Sequence, residues 1–364
     1  MSGAVSGHIT AFFLFDVAEA IDLAALQREL GAGVAARLAP KPTTPPYVQY
    51  RQAPITVDGH TVDMAEADGF SVRFKAFDYG VISIALTRPV SDNWDEWVAW
   101  GRRWYENAAL PRAAEHLART FVGRIATAIT RLRPDFLAED YVVFTVTQLD
   151  TPASAESLIA ARGGAIAQML RGERSPLSAE ERDEVLRHRI SYFADDLVVP
   201  TWNSAFVLDT ESGAQAAIEI LEFANSQLLE FRYYDQLLDA ELERIYPQLQ
   251  RQGWVYNWLA RRYSRAVRQV HSLFIDVTEL TDRTENALKI VGDVYAARLF
   301  AIAAARLGLD QWKASVQEKL HTLADINRFA VEQSSMARGE FLELVVVIIL
   351  VLELALLLAG VMHF

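Results

Sequence analysis

The chain has 364 residues, enough for two or three domains or one large one. Hydrophobic residues make up 51% and charged residues 23%, which excludes global disorder and allows a sizeable core. The net charge of −12, from 35 basic against 47 acidic residues, argues against wholesale coating of nucleic acid, and the absence of cysteine removes disulfides, thiolate zinc sites, iron–sulfur ligation and cysteine nucleophiles together.

In chain order, residues 8–15 (HITAFFLF) are an apolar run that fits a buried strand, and 22–30 has helical spacing through Leu23, Leu26 and Leu30. The KPTTPP stretch at 41–46 predicts a loop. Asp58-Gly59, between β-branched flanks over 55–62, predicts a hairpin. Strands are expected over 72–77 and 81–86, on either side of an Asp78-Tyr79-Gly80 turn. Residues 92–133 read as mostly helical with an interruption at Pro111, 141–147 (YVVFTVT) as a strand, 153–189 as helical, and 190–209 as short strand-like pieces. With strands and helices mixed and no βαβ period, this half is α+β.

From Ser212 the texture changes. Ser212 and Gln215 form a capping-box pattern, and helical periodicity then predicts four long helices over about 213–246, 250–277, 281–307 and 310–363, separated near Pro247, Gly253 and Gly308. In the first, Leu221, Ala224, Leu228, Phe231, Asp235, Leu238, Leu242 and Ile245 make a heptad seam for an antiparallel bundle. Asp235 is the polar exception in that seam. Arg232 lies one turn back and Asp239 one turn on, so the three read either as an ion pair fixing register or as a polar site inside the bundle.

Residues 341–362 are apolar except for Glu343 and Glu353; 22 helical residues span about 33 Å, against a hydrocarbon core of ~30 Å. A central acid costs about 2.5–3.5 kcal/mol on insertion scales, while each surrounding Leu, Ile or Val returns roughly 0.3–0.6. The sequence therefore predicts a C-terminal membrane anchor whose intramembrane acid, Glu353, is protonated or turned away from lipid. Residues 1–8 carry no basic or apolar signal region. Arg328 and Arg338 precede the span and no Lys or Arg follows it. The expectation is a single-pass bacterial inner-membrane protein with its bulk in the cytoplasm. The expected division is an α+β domain over 1–210, a long-helix bundle over 211–338, and an anchor over 339–364.

Two basic stretches stand out. Residues 101–133 hold seven arginines, among them Arg102, Arg103, Arg112 and Arg119, against two acids. Residues 251–270 hold five, among them Arg261, Arg265 and Arg268, with none. The second has an internal counterpart in the acidic helix 211–245; otherwise both are candidate faces for headgroups or for RNA phosphate. Trp94, Trp97, Trp100 and Trp104 share one helix face, as core or as a partner anchor. No catalytic motif, metal-ligand spacing or cofactor loop is legible: Gly31-Ala32-Gly33 follows a helix and reads as a helix stop, and Glu318 and His321 form one isolated E-x-x-H.

Four stretches in order, FDYGVISI (77–84), DLVVPTWNSAFVLD (196–209), ILEFANSQLLEFRYYDQLLDAEL (220–242) and FLELVVVIILVLEL (341–354), resemble the required-for-meiotic-nuclear-division family, also called the YagE-like domain of unknown function. The resemblance implies membrane association and carries no catalytic residue over. Three functions are open: a membrane-anchored, self-associating scaffold or tether with the bilayer and copies of itself as partners; a membrane tether binding RNA or the ribosome through the Arg102–Arg133 face; or an enzyme with a polar site at Arg232, Asp235 and Asp239. No cofactor or metal is expected.

Overall fold

A computed structural model of the chain describes residues 5–30, 54–59, 69–250, 273–282 and 294–358. The described residues divide between two units: residues 1–233 with 280–313, and residues 234–279 with 314–364. One boundary between them falls inside a helix, after Tyr233.

The first unit is built on a seven-stranded sheet of order β2-β3-β4-β1-β5-β7-β6. Its strands are β1 (Val5–Ile21), β2 (Ile55–Asp58), β3 (Ser71–Ala76), β4 (Val81–Asp92), β5 (Ile129–Gln148), β6 (Leu197–Pro200) and β7 (Ser204–Leu208). All neighbours are antiparallel except β5 and β7. The turn expected at 78–80 joins β3 to β4, with Ser71 opposite Thr87 and Ala76 opposite Ile82. Gly80 has φ 89°, and a Cβ there would lie 1.9 Å from the Ala18 carbonyl oxygen, so only glycine lets this turn lie against β1. The Gly80 carbonyl accepts from the Val17 and Ala18 amides at 3.0 and 3.3 Å.

Strand alternation gives the sheet two distinct faces. Ala11, Phe13 and Phe15 of β1, Phe74 of β3, Ile84 of β4 and Phe144 of β5 turn to one face. That face is covered by α1 (Leu23–Leu30), α2 (Trp94–Glu106), α3 (Ala109–Arg124), α4 (Ala155–Arg171) and α5 (Ala179–Arg187). The tryptophan stripe is core here: Trp97 is fully buried and its indole N–H donates to the Val5 carbonyl at 3.1 Å, while Trp94 and Trp104 pack on Phe206 and Phe13. Gly101 allows α2 to close on α4, since a Cβ would meet the Met169 carbonyl oxygen at 2.3 Å. Asn93 caps α2 by accepting from the Asp95 and Glu96 amides. Pro111 lies in the first turn of α3, where its missing N–H has no intrahelical partner to lose.

Two expectations over this half are corrected. The helical reading of 92–133 ends at Arg124, and Ile129 already begins β5, pairing with Ile21 of β1. Helix 153–189 is two helices, separated after Gly172 in a left-handed cap. β2 pairs with β3, while residues 60–62 of the expected hairpin and the 41–46 loop lie outside the described residues.

The opposite face receives residues 211–233 of α6 (Glu211–Gln250), and α7 (Val294–Leu307) lies against β6 and packs Phe300 against Phe223 of α6 in a tilted pair with ring centroids 5.6 Å apart. Residues 220–231 are consequently buried on every side. α6 runs through Pro247 to Gln250, so the break expected there is absent. α8 (Leu309–Leu358) follows Gly308. Among the described residues no helix is long and apolar enough to cross a membrane. This corrects the expected transmembrane helix, and with it the anchor and the single-pass inner-membrane location.

Candidate functional site

The densest polar chemistry of the first unit lies between the sheet and α6. Period-two alternation puts Lys75 of β3 and Ser83 of β4 on this face, directly opposite one another. Glu222 of α6 reaches Lys75 in an ion pair that is almost wholly enclosed. One turn on, Ser226 shares a hydrogen bond of 2.7 Å with the Tyr79 hydroxyl and donates to the Phe223 carbonyl, and the Gln227 amide donates to the same hydroxyl at 3.4 Å. Asn225 donates to the Leu221 carbonyl at 2.8 Å. Its Oδ1 has no partner among the described residues, and neither do the hydroxyls of Ser83 and Thr145 on the sheet.

A second polar group forms where the β1–β5 ladder is irregular. Asp16 pairs with Leu137 but Ala18 with Leu132, so residues 133–136 stand opposite Val17 alone. The extra chain carries Arg133, whose Nε donates to Asp16 Oδ1 at 2.6 Å and whose guanidinium lies 3.5 Å over the Tyr233 ring. Burial pushes the Asp16 carboxyl up to about 6, although the Arg133 charge and hydrogen bond oppose this, and its second oxygen has no partner among the described residues. Tyr233 is raised too, first by burial and with Arg133 again opposing.

The structure separates the three residues of the expected polar seam. Arg232 turns to the sheet and pairs with Glu139. Asp235 and Asp239, in the second unit, both pair with Lys319 of α8, at 2.8 and 2.7 Å, and Ser315 donates to Asp235 at 2.7 Å. Each of the three thus has an ion-pair partner on another element. Glu353 is exposed. On the expected basic face, Arg102 pairs with Glu106 at 3.9 Å, Arg103 with Glu96 at 3.0 Å, and Arg119 with Glu115 at 2.9 Å while capping the Phe136 ring. Arg112 is exposed. Most of that charge is therefore offset on its own helix. Arg261, Arg265 and Arg268 lie outside the described residues.

No group of three or more His, Asp or Glu side chains placed to hold a metal ion occurs among the described residues. A groove lined by Ile159, Ala160, Arg182, Asp183, Leu186 and Arg189 runs between α4 and α5, but Arg182 and Asp183 pair with each other there at 2.9 Å. Among the described residues the layer consists of the Lys75–Glu222 pair and the bonds joining Tyr79, Ser226 and Gln227. What it can do is fix the register of α6 on the sheet, since a slipped helix would strand Lys75 and Glu222 without partners.

Residues 6–215, from β1 to the first turn of α6, match the family described as the N-terminal domain of the uncharacterized protein MJ0711. The uncharacterized protein MJ0711 of Methanocaldococcus jannaschii is 24% identical over 234 residues, which are 64% of this chain and 69% of that protein. No solved structure matches. With the match extending over more than half its length, the chain belongs to the MJ0711 N-terminal domain family.

Proposed function

We propose that this protein is a self-associating scaffold whose copies are held together by residues 346–354 of α8. The observation that carries the reading is the exposure of this stretch. Val346, Val347, Ile348, Ile349, Leu350, Val351, Leu352 and Leu354 each leave between 48% and 59% of their surface open. At 3.6 residues per turn they cover every side of the helix.

A helix that is apolar all round belongs in an interior. The open surface is on the order of 800 Å² per chain, one partner's share of a standard interface. At ~25 cal/mol per Å² its burial is worth on the order of 20 kcal/mol gross, enough to exceed an association cost of roughly 4–15 kcal/mol. A second copy suits this surface because an all-round apolar cylinder needs cover from several directions, and each further copy brings an identical cylinder. The resemblance of 220–242 to a family motif supports the same reading, because those residues fix helix register rather than assemble a reaction centre.

Sedimentation of the full chain over a range of concentrations tests this. A mass above that of the monomer is expected, and Val347→Asp with Leu350→Asp should return the monomer with unchanged helix content. A wild-type chain that is monomeric throughout, or a double variant that assembles equally well, overturns it.

A further inference from the structure

Within the exposed apolar stretch one residue is out of keeping. Glu353 follows Leu352 and precedes Leu354, and Ile349 and Leu350, one turn back on its side of the helix, are apolar and open. The described residues give it no hydrogen bond or ion pair, and none of their elements brings a charged group to it. The nearest charged or titratable residues in sequence, Glu343 and His363, are each ten positions away.

Resting on the self-association proposed above, we infer that assembly through this stretch is controlled by protons taken up at Glu353. When apolar neighbours of two copies close over one another, the carboxylate loses water and gains no cation. Burial alone disfavours its ionised form. Each copy also carries the same acid to the same interface, and two carboxylates held together cannot both stay charged at little cost. The dispersed chain leaves Glu353 in water. The assembled form thus holds more protons than the dispersed form, and association strengthens as pH falls. Where the linkage is complete, the association constant changes about tenfold per pH unit for each proton taken up.

Sedimentation at pH 5, 6, 7 and 8 of the wild-type chain, Glu353→Gln and Glu353→Lys tests the inference. The wild type should gain mass on acidification. Glu353→Gln should be assembled at all four values, and Glu353→Lys, cationic throughout, should be the least assembled. Wild type and Glu353→Gln assembling with the same pH profile would overturn proton control and leave self-association standing. Absence of assembly in wild type and Glu353→Gln alike would overturn both.

Discussion

Residues 220–231 of α6 and 346–354 of α8 are inverse cases of one element. The first carries Glu222, Asn225, Ser226, Gln227 and Glu230, yet every position is buried. The second is apolar at all positions but Glu353, yet every position is exposed. Each breaks the rule that an amphipathic helix shows one face to the core and the other to water. In α6 the sheet lies on one side and α7 on another, so polar groups are enclosed and must find partners within the chain; Lys75 and Tyr79 supply them. In α8 no described residue supplies the cover, and the proposal assigns that place to a second copy of the chain. Burial follows from what lies on each side of a helix more than from its own composition.

The largest expected effect is on the α6 side. Glu222→Ala leaves Lys75 enclosed without its counter-ion and should cost about 3–5 kcal/mol in chemical unfolding. Replacing both, Lys75→Met with Glu222→Leu, should recover most of that loss, since an apolar pair of similar volume avoids the desolvation cost. If the double replacement is as unstable as Glu222→Ala, the polar layer does more than complete a pair.

Asp16 gives the next effect, and its sign follows from its direction. The folded-state value, about 6, stands above an ordinary aspartate's, so the folded chain binds the proton more tightly than the unfolded chain. Stability from this group is therefore present at low pH and lost as pH rises from about 4 to about 6, a loss of roughly 3 kcal/mol by pH 7. Asp16→Asn should flatten the stability profile across that window, with Arg133 keeping its contact with Tyr233. A profile between pH 4 and 6 that Asp16→Asn leaves unaltered would contradict this.

In the second unit, Lys319→Met should cost about 1–2 kcal/mol, because it leaves Asp235 partly enclosed with only Ser315 while Asp239 keeps its water. Restoring the loss by adding Asp235→Asn would show that the uncompensated charge is responsible.

How much of this was legible depends on where the deciding contacts come from. The β3–β4 hairpin was legible because its turn and alternation are local. The tryptophan stripe was legible as a face, and the structure selects core over partner anchor. Residues 129–132 were not legible as part of a strand: ITRL lacks apolar alternation and is held in the sheet by pairing of Ile129, Thr130 and Leu132 with Ile21, Ala20 and Ala18 of β1, far away in sequence. The α6 polar layer was missed because Glu222, Asn225 and Gln227 fall off the heptad seam, so their spacing did not mark them as buried. One signal was available. Residues 220–231 hold only two charged side chains, both acidic, and no Lys or Arg, a low density for a face in water. The partner swap at Arg232, from Asp235 to Glu139, depended on the sheet and had no local signal.

The smallest effect on stability sharpens the comparison most. Leu350→Ser removes a large apolar side chain, as a core truncation would, but from a position 58% open. Unfolding of the isolated chain should change by no more than about 0.5 kcal/mol, because little packing is lost. The same kind of change at Phe231, fully buried in α6, should cost about 3–5 kcal/mol when truncated to alanine. If Leu350 is instead covered by another copy, its replacement should show in mass and not in chain stability, with the assembled fraction falling at a fixed concentration. A large loss of stability at high dilution would mean that residues of this same chain already cover α8, and the inverse relation between the two helices would disappear.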